Sequence, residues 1–167
     1  VVVDSFKVSI ESDEITPEVD VLDQELTNPL EVNIASVTAA ADGYIVIHEA
    51  DENGDLVVEP AIGFAAVTTG TNTDVEVTLT RDAVEGETLF AMLHTEDNDN
   101  TTYDGPGTDA PVLDADDNVI APSFTVTVPA EGPTPSVTAN DQTLARDAAN
   151  LVNIAEVVAA ADGYIVI

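Results

Sequence analysis

The strongest constraint on the fold is a repeat within the chain itself. Residues 32–47 return as residues 152–167 with differences at only two positions. Residues 5–10 and 123–128 form a second similar pair at nearly the same spacing. Self-similarity at a fixed period is the sequence signature of a repeat protein. We therefore expect a tandem repeat of about 119 residues, of which this chain holds roughly 1.4 copies.

The positions of these copies divide the chain into four parts. Residues 1–17 are expected to be the closing strand of a preceding repeat with its linker. Residues 18–128 are expected to be one complete β-sandwich repeat. Residues 129–135 form a proline-rich linker, since proline favours an extended spacer. Residues 136–167 are then the opening strands of a next repeat, cut short.

The charge of the chain is extreme. There are 33 acidic residues against three basic ones, Lys7, Arg81 and Arg146, which gives a net charge of −30. A nucleic-acid partner would meet like-charge repulsion, so nucleic-acid binding is excluded. Such a charge suits surroundings rich in salt or divalent cations, where self-repulsion is screened. We expect an extracellular or cell-surface location, although the charge alone would also fit the cytoplasm of a salt-loving cell.

Composition also indicates a folded protein. Hydrophobic residues make up 44% of the sequence, more than a disordered acidic tail contains. Cysteine is absent, so disulfides cannot stabilise the fold. No run approaches the roughly 20 apolar residues that cross a bilayer, so we expect no membrane-spanning segment.

The periodicity of the sequence is that of β-strands. Val75, Val77 and Leu79 alternate with polar residues, which is typical of a half-buried strand. Many short strands with regular turns predict an all-β, immunoglobulin-like antiparallel β-sandwich. We expect strands near residues 3–10, 18–26, 31–39, 43–50, 56–67, 73–80, 88–95 and 119–128, with a polar loop at 96–118.

Two predicted strands are apolar on both faces. These are residues 44–47 and 89–93, whereas a sandwich strand should present one face to water. Either a loop of the same chain covers the outer face, at residues 56–67 or 96–118, or an adjoining repeat or subunit does.

Five motifs in order along the chain resemble a domain of unknown function that occurs in tandem on archaeal, especially haloarchaeal, and some bacterial cell-surface proteins. The resemblance implies a secreted, repeat-built β-sandwich and brings no known catalytic residues. Tyr44 and Phe90 stand where relatives often carry a different aromatic residue, a mild departure. The motifs are residues 40–48, 62–65, 70–75, 89–94 and 121–126.

Nothing in the sequence indicates catalysis. No serine lies in a Gly-x-Ser-x-Gly turn, and no glycine-rich phosphate loop is present. Close carboxylate pairs arise by chance among so many acidic residues. We therefore expect no catalytic residues and no enzyme activity.

The two histidines are placed alike, each at the end of an apolar run and before acidic residues. If their strands are neighbours, His48 and His94 could hold a transition metal such as zinc together with Asp51 or Asp97. The alternative is a pair of rim histidines, each hydrogen-bonded to a carboxylate that raises its pKa.

Calcium is the other candidate ligand. Acidic turns supply the oxygen ligands that calcium prefers, although none completes an EF-hand. The alternative is a set of solvated turn residues. Asn100, Thr101 and Thr102 also form an N-glycosylation acceptor sequence. The candidate calcium ligands are Asp97, Asp99, Asp104, Asp114, Asp116 and Asp117.

The repeat suggests a structural function. We expect a repeat of an extracellular filament, stalk or surface-layer protein that binds copies of itself head to tail through complementary strands. The alternative is a calcium-dependent adhesin or carbohydrate-binding module, although the chain has no tryptophan to stack on sugars. The expected assembly residues are Phe6, Val8, Ile10, Tyr44, Val46, Phe124, Val126, Tyr164 and Val166.

Overall fold

The computed structural model describes residues 14–128, 135–143 and 151–167. The chain divides into two units, Val1–Pro129 and Ala130–Ile167. The strand predicted at residues 3–10, with Phe6, Val8 and Ile10, lies outside the described residues.

The first unit is built from strands and turns, and its described residues contain no helix. Its strands are β1 (Glu18–Asp20), β2 (Gln24–Glu25), β3 (Glu31–Ala39), β4 (Gly43–Ala50), β5 (Leu56–Val57), β6 (Gly63–Val67), β7 (Gly70–Thr78), β8 (Thr88–Thr95) and β9 (Ser123–Thr127).

Two sheets face each other across the core. One has the order β1-β3-β7, and the other has the order β2-β9-β8-β4, with β5 and β6 both paired to β4. All pairs are antiparallel except β2 with β9, which is parallel. This arrangement confirms the predicted all-β sandwich, and the two sheets correspond to the two faces of an immunoglobulin-like fold.

Two predicted strands are broken in the structure. Residues 18–26 form two short strands, because β1 pairs in one sheet and β2 in the other. Residues 56–67 are interrupted at Pro60, which has no backbone N–H to continue a ladder.

The core is formed by alternate residues of the two sheets. Val32 and Ile34 of β3 lie in one cluster with Ile45 and Ile47 of β4. The last strand adds Phe124 and Val126 to the same cluster, both buried. The other strand and loop residues of the cluster include Val37, Val77, Leu89, Ala91 and Leu93.

The second unit starts as the first one does. Its strands β10 (Ser136–Ala139) and β11 (Ile154–Val158) pair antiparallel, with Val137 opposite Val157. In the first unit, Val19 of β1 is opposite Val37 of β3, which are the equivalent positions in the repeat. The two copies of the sequence therefore adopt the same strand register at this point.

A side-chain clamp accompanies this register in both units. The Gln24 amide accepts from the backbone N–H of Asn33 at 2.9 Å and donates to the Asn33 carbonyl at 3.0 Å. Gln142 makes the same two contacts with Asn153. The glutamine thus completes the edge of the strand where backbone pairing stops.

Candidate functional site

The outer face of β4 and β8 is covered, as the sequence indicates. Tyr44 lies opposite His94 in the register, Val46 opposite Met92, and His48 opposite Phe90. Five of these six side chains are buried, and Phe90 is half-buried. Because Ile45 and Ile47 point into the main core, both faces of β4 are removed from water.

A loop of the same chain provides the cover. We call residues 96–112 the cover loop. Its Tyr103 ring lies 4.9 Å from the His94 ring and 6.1 Å from the Tyr44 ring, measured between centroids. Phe64 of β6 completes the cluster, 5.8 Å from Tyr44 and edge-on to it. Such edge-to-face aromatic contacts contribute beyond the area that they bury.

Asp109 holds the cover loop in place. Its carboxylate is buried and accepts backbone N–H groups from Asp104 at 2.7 Å and from Asp97 at 3.4 Å. Its backbone carbonyl accepts a hydrogen bond from Nδ1 of His94 at 2.8 Å. One residue therefore ties the tip of the loop to its base and to β8.

Tyr44 adds a second attachment. Its hydroxyl donates to the carboxylate of Glu96 at the start of the cover loop. Burial, together with the Glu96 carboxylate, raises the pKa of Tyr44 well above its ordinary value. The hydroxyl therefore stays protonated and keeps donating across the whole physiological pH range.

The two histidines differ from the rim residues that the alternative expected. Both are buried, with ring centroids 6.0 Å apart. Burial lowers the pKa of both, that of His48 to about 4. The expectation of a raised pKa was wrong, because loss of solvent outweighs the acidic surroundings.

The acidic residues expected to complete a zinc site are engaged elsewhere. Asp51 accepts backbone N–H groups from Asn53 and Asp55 in its own turn. Asp97 accepts from the Thr95 hydroxyl and the Ala110 N–H. The described part of the chain contains no group of three or more His, Asp or Glu side chains that could hold a metal ion. Zinc binding stays a prediction.

Within the described residues, four buried polar atoms of the first unit have no well-formed hydrogen bond. They are Nε2 of His94, the hydroxyl of Tyr103 and both ring nitrogens of His48, beside which the backbone of Val57 and Val58 lies. Each unpaired buried group costs stability, so this cluster is a weak point of the first unit.

Sequence reasoning did not predict that Tyr103 and Asp109 hold the cover loop over β4 and β8. A lone aromatic residue inside a polar loop is a signal that could have indicated Tyr103.

The remaining candidate calcium ligands lie in hydrogen-bonded turns. Asp114 accepts backbone N–H groups from Asp116 and Asn118, and Asp117 adopts the left-handed conformation with φ of 64°. In the cover loop, Asp104 accepts amide hydrogen bonds from two asparagines, and Asp99 is exposed. Calcium binding by these residues stays a prediction.

The predicted assembly residues have very different surroundings. Phe124 and Val126 belong to the core of the first unit, and Tyr44 and Val46 are buried on the outer face of β4. In the second unit, Tyr164 is 98% exposed and Val166 is 90% exposed. Of the predicted assembly residues in the described part, these two are the exposed ones.

Comparison with known proteins shows the family. Residues 17–127 match the family described as "Domain of unknown function (DUF7282)", and the chain belongs to it. No solved structure gives a significant match.

Two named relatives come from Haloarcula hispanica. "Cell surface glycoprotein 2" is 35% identical over 74% of this chain, and "Cell surface glycoprotein 1" is 34% identical over 61%. The matches cover 13% and 10% of the lengths of those two proteins. The chain is thus a cell-surface domain of a kind carried by much longer proteins. In the described residues, no helix has the length and hydropathy needed to cross a membrane.

Proposed function

We propose that the chain is a structural repeat of an extracellular filament, stalk or surface-layer protein. In this proposal residues 164–167 are covered by another copy of the domain. One observation supports it: strands β10 and β11 of the second unit pair in the register of β1 and β3 of the first, so the chain repeats its structure as well as its sequence. Tyr44 and Val46 of the first unit are buried, with β8 paired beside them, and the same segment of the second unit needs equivalent partners.

In the first unit the equivalent apolar strand, β4, is paired along both edges, with β6 and with β8. Residues 164–167 are Tyr, Ile, Val and Ile, and they lie outside any strand pairing in the described part of the second unit. Such a segment offers both a free backbone edge and apolar side chains. Strand addition satisfies the backbone while pockets on the partner take alternate side chains.

Two arrangements supply the cover. A further copy along the same polypeptide can complete the unit, or two polypeptides can exchange strands. Both contacts are head to tail, so they extend without closing and build a filament. A net charge of −30 opposes either contact at low ionic strength, and salt screens that repulsion.

The adhesin alternative has less support. Carbohydrate sites place aromatic rings where sugars can stack on them. The aromatic residue of the cover loop, Tyr103, instead packs against Tyr44, Phe64 and His94. The names of the relatives also favour a structural role over an enzymatic one.

Light scattering of the purified 167-residue chain over a range of concentrations tests the proposal. We expect the average molecular mass of the scattering particles to rise with protein and salt concentration. Val166→Asp should abolish the rise, because it places a charge on the exposed strand. Leu22→Asp is the matched control, since Leu22 is an exposed apolar residue of the first unit. Equal association of both variants and the wild type would overturn the proposal.

A further inference from the structure

One short motif in the cover loop is not explained by the assembly proposal. Asn100, Thr101 and Thr102 form the only Asn-x-Ser/Thr sequence in the 167 residues. This sequence is the acceptor motif for N-linked glycosylation in secreted proteins. Its position on a folded surface decides whether it is compatible with a glycan.

The motif lies at the most accessible part of the loop. Residues 97–102 are all exposed, whereas His94 of β8 and Asp109 further along the loop are buried. Asn100 and Thr101 form one rim of a shallow groove of about 400 Å³, which also includes Glu96 and Thr68. A bulky substituent on Asn100 therefore meets solvent and the open groove, not the core.

The side chain of Asn100 has a defined geometry. Its Oδ1 accepts the backbone N–H of Thr102 at 2.6 Å, which turns the amide back towards the threonine. Its Nδ2 donates to Oδ2 of Asp104 at 2.5 Å. Since Nδ2 carries two hydrogens, one is used by Asp104 and the second can be replaced.

We propose that Asn100 is an N-glycosylation site. The donor is an oligosaccharide linked through its anomeric carbon to a lipid phosphate, and a transferase of the secreting cell brings the two together. Nδ2 forms a bond to the anomeric carbon, and the bond from that carbon to the phosphate oxygen breaks. The phosphate leaves with the electron pair, and one Nδ2 proton passes to a base of the transferase.

The product fits the folded loop. The glycosylated amide keeps one N–H, and that N–H can maintain the hydrogen bond to Asp104. The glycan then stands over the groove beside the cover loop. It hydrates this face of the first unit. The inference does not depend on the proposed assembly, because a modified monomer satisfies it equally well.

Peptide mapping by mass spectrometry tests the site. The 167-residue chain is secreted from Haloarcula hispanica with an unstructured tag that carries an Asn-Ala-Thr sequence, in a strain shown to modify the tag. We expect the peptide containing Asn100 to carry a hexose-containing mass increment that is absent from the Asn100→Gln variant.

Matched variants separate recognition of the motif from disturbance of the fold. Thr102→Ala should remove the modification, whereas Thr102→Ser and Thr101→Ala should retain it, because each keeps the acceptor sequence. Circular dichroism of each secreted variant reports the fold. An unmodified Asn100 peptide on a chain whose tag is modified would overturn the proposal.

Discussion

Tyr44 and Tyr164 occupy the same position in two copies of one segment, and one is buried while the other is almost fully exposed. Tyr44 donates to Glu96 and contacts Phe64 and Tyr103, which lie far from it in sequence. Those partners, and not the local sequence, determine how the segment is buried. The glycines before the two tyrosines differ in the same way, since Gly43 has close neighbours and Gly163 has none.

Replacing Gly43 with alanine should destabilise the first unit. A Cβ there would lie 2.1 Å from the backbone oxygen of His94, so β4 and β8 would have to separate. We expect a loss of about 1–3 kcal/mol, the usual cost of overpacking. Urea unfolding followed by circular dichroism measures it.

Gly163→Ala is the matched control for this change. Nothing lies within 4 Å of a Cβ at Gly163 in this chain, so its effect should stay within about 0.5 kcal/mol. Equal losses at the two glycines would show that local conformation, and not the close approach of β8, fixes this position.

Stability should depend on pH through His48. Burial lowers its pKa to about 4, against an ordinary value of 6.5 in the unfolded chain. Between those values the unfolded state binds more protons, so the stability that is complete above pH 6.5 is lost as the pH falls towards 4. The loss reaches about 3 kcal/mol at the acid end.

His48→Leu should remove this dependence. The leucine has no proton to bind and leaves no unpaired ring nitrogen. The unfolding free energy of the variant should therefore rise relative to that of the wild type as the pH falls from 7.5 to 4.5. The many carboxylates titrate in both proteins and cancel in the difference. Parallel curves of unfolding free energy against pH would contradict the assignment.

Asp109→Asn should loosen the cover loop. The asparagine keeps one oxygen as an acceptor, so its NH2 group faces one of the two backbone N–H groups, of Asp97 or Asp104, that the carboxylate accepts. We expect a loss of about 1–3 kcal/mol and faster hydrogen exchange at residues 97–104. Asp116→Asn makes the same chemical change at an exposed turn and should have little effect. If both variants exchange like the wild type, Asp109 does not anchor the loop.

Arg81 should matter more than an ordinary surface arginine. It is the one Lys or Arg within residues 14–128, 135–143 and 151–167, and it donates to Glu49, to Glu87 and to the Asp82 carbonyl. Its side chain is 36% exposed, so solvent weakens these pairs. We expect Arg81→Gln to cost about 1–2 kcal/mol at neutral pH, measured by urea unfolding.

The pH dependence of that cost follows from Glu87. Burial raises the pKa of Glu87. The hydrogen bonds from Arg81 and the Val84 N–H lower that pKa by more than burial raises it, so it lies below its ordinary value. The stabilisation is therefore present above the ordinary pKa and disappears as the pH falls through the lowered one. Adding Glu87→Gln to Arg81→Gln should restore part of the lost unfolding free energy at neutral pH. No recovery would show that the loss does not come from the pair of Arg81 with Glu87.

Much of the fold could be predicted because period-two alternation is a local property. That alternation placed β7 to within a few residues, whereas β4 and β8 were placed by runs that are apolar on both faces, and the apolar outer face of β4 correctly indicated a cover. The split between β1 and β2 could not be predicted, since it depends on which sheet offers a free edge to each piece.

The histidines show the limit for the site. Their acidic sequence neighbours suggested a raised pKa, but both rings are buried, and that of His94 packs against Tyr103 of the cover loop. That contact joins residues in separate elements, so no local pattern carries it. Metal binding and assembly also depend on contacts between residues far apart in sequence or between copies, and both stay predictions.

Hydrogen exchange at residues 164–167 is the most direct test of assembly through the exposed copy. These backbone amides are unpaired in the second unit, so we expect rapid exchange in dilute protein. At high protein and salt concentration they should become protected, and Val166→Asp should prevent that protection. Rapid exchange at every concentration in the wild-type chain would contradict the account.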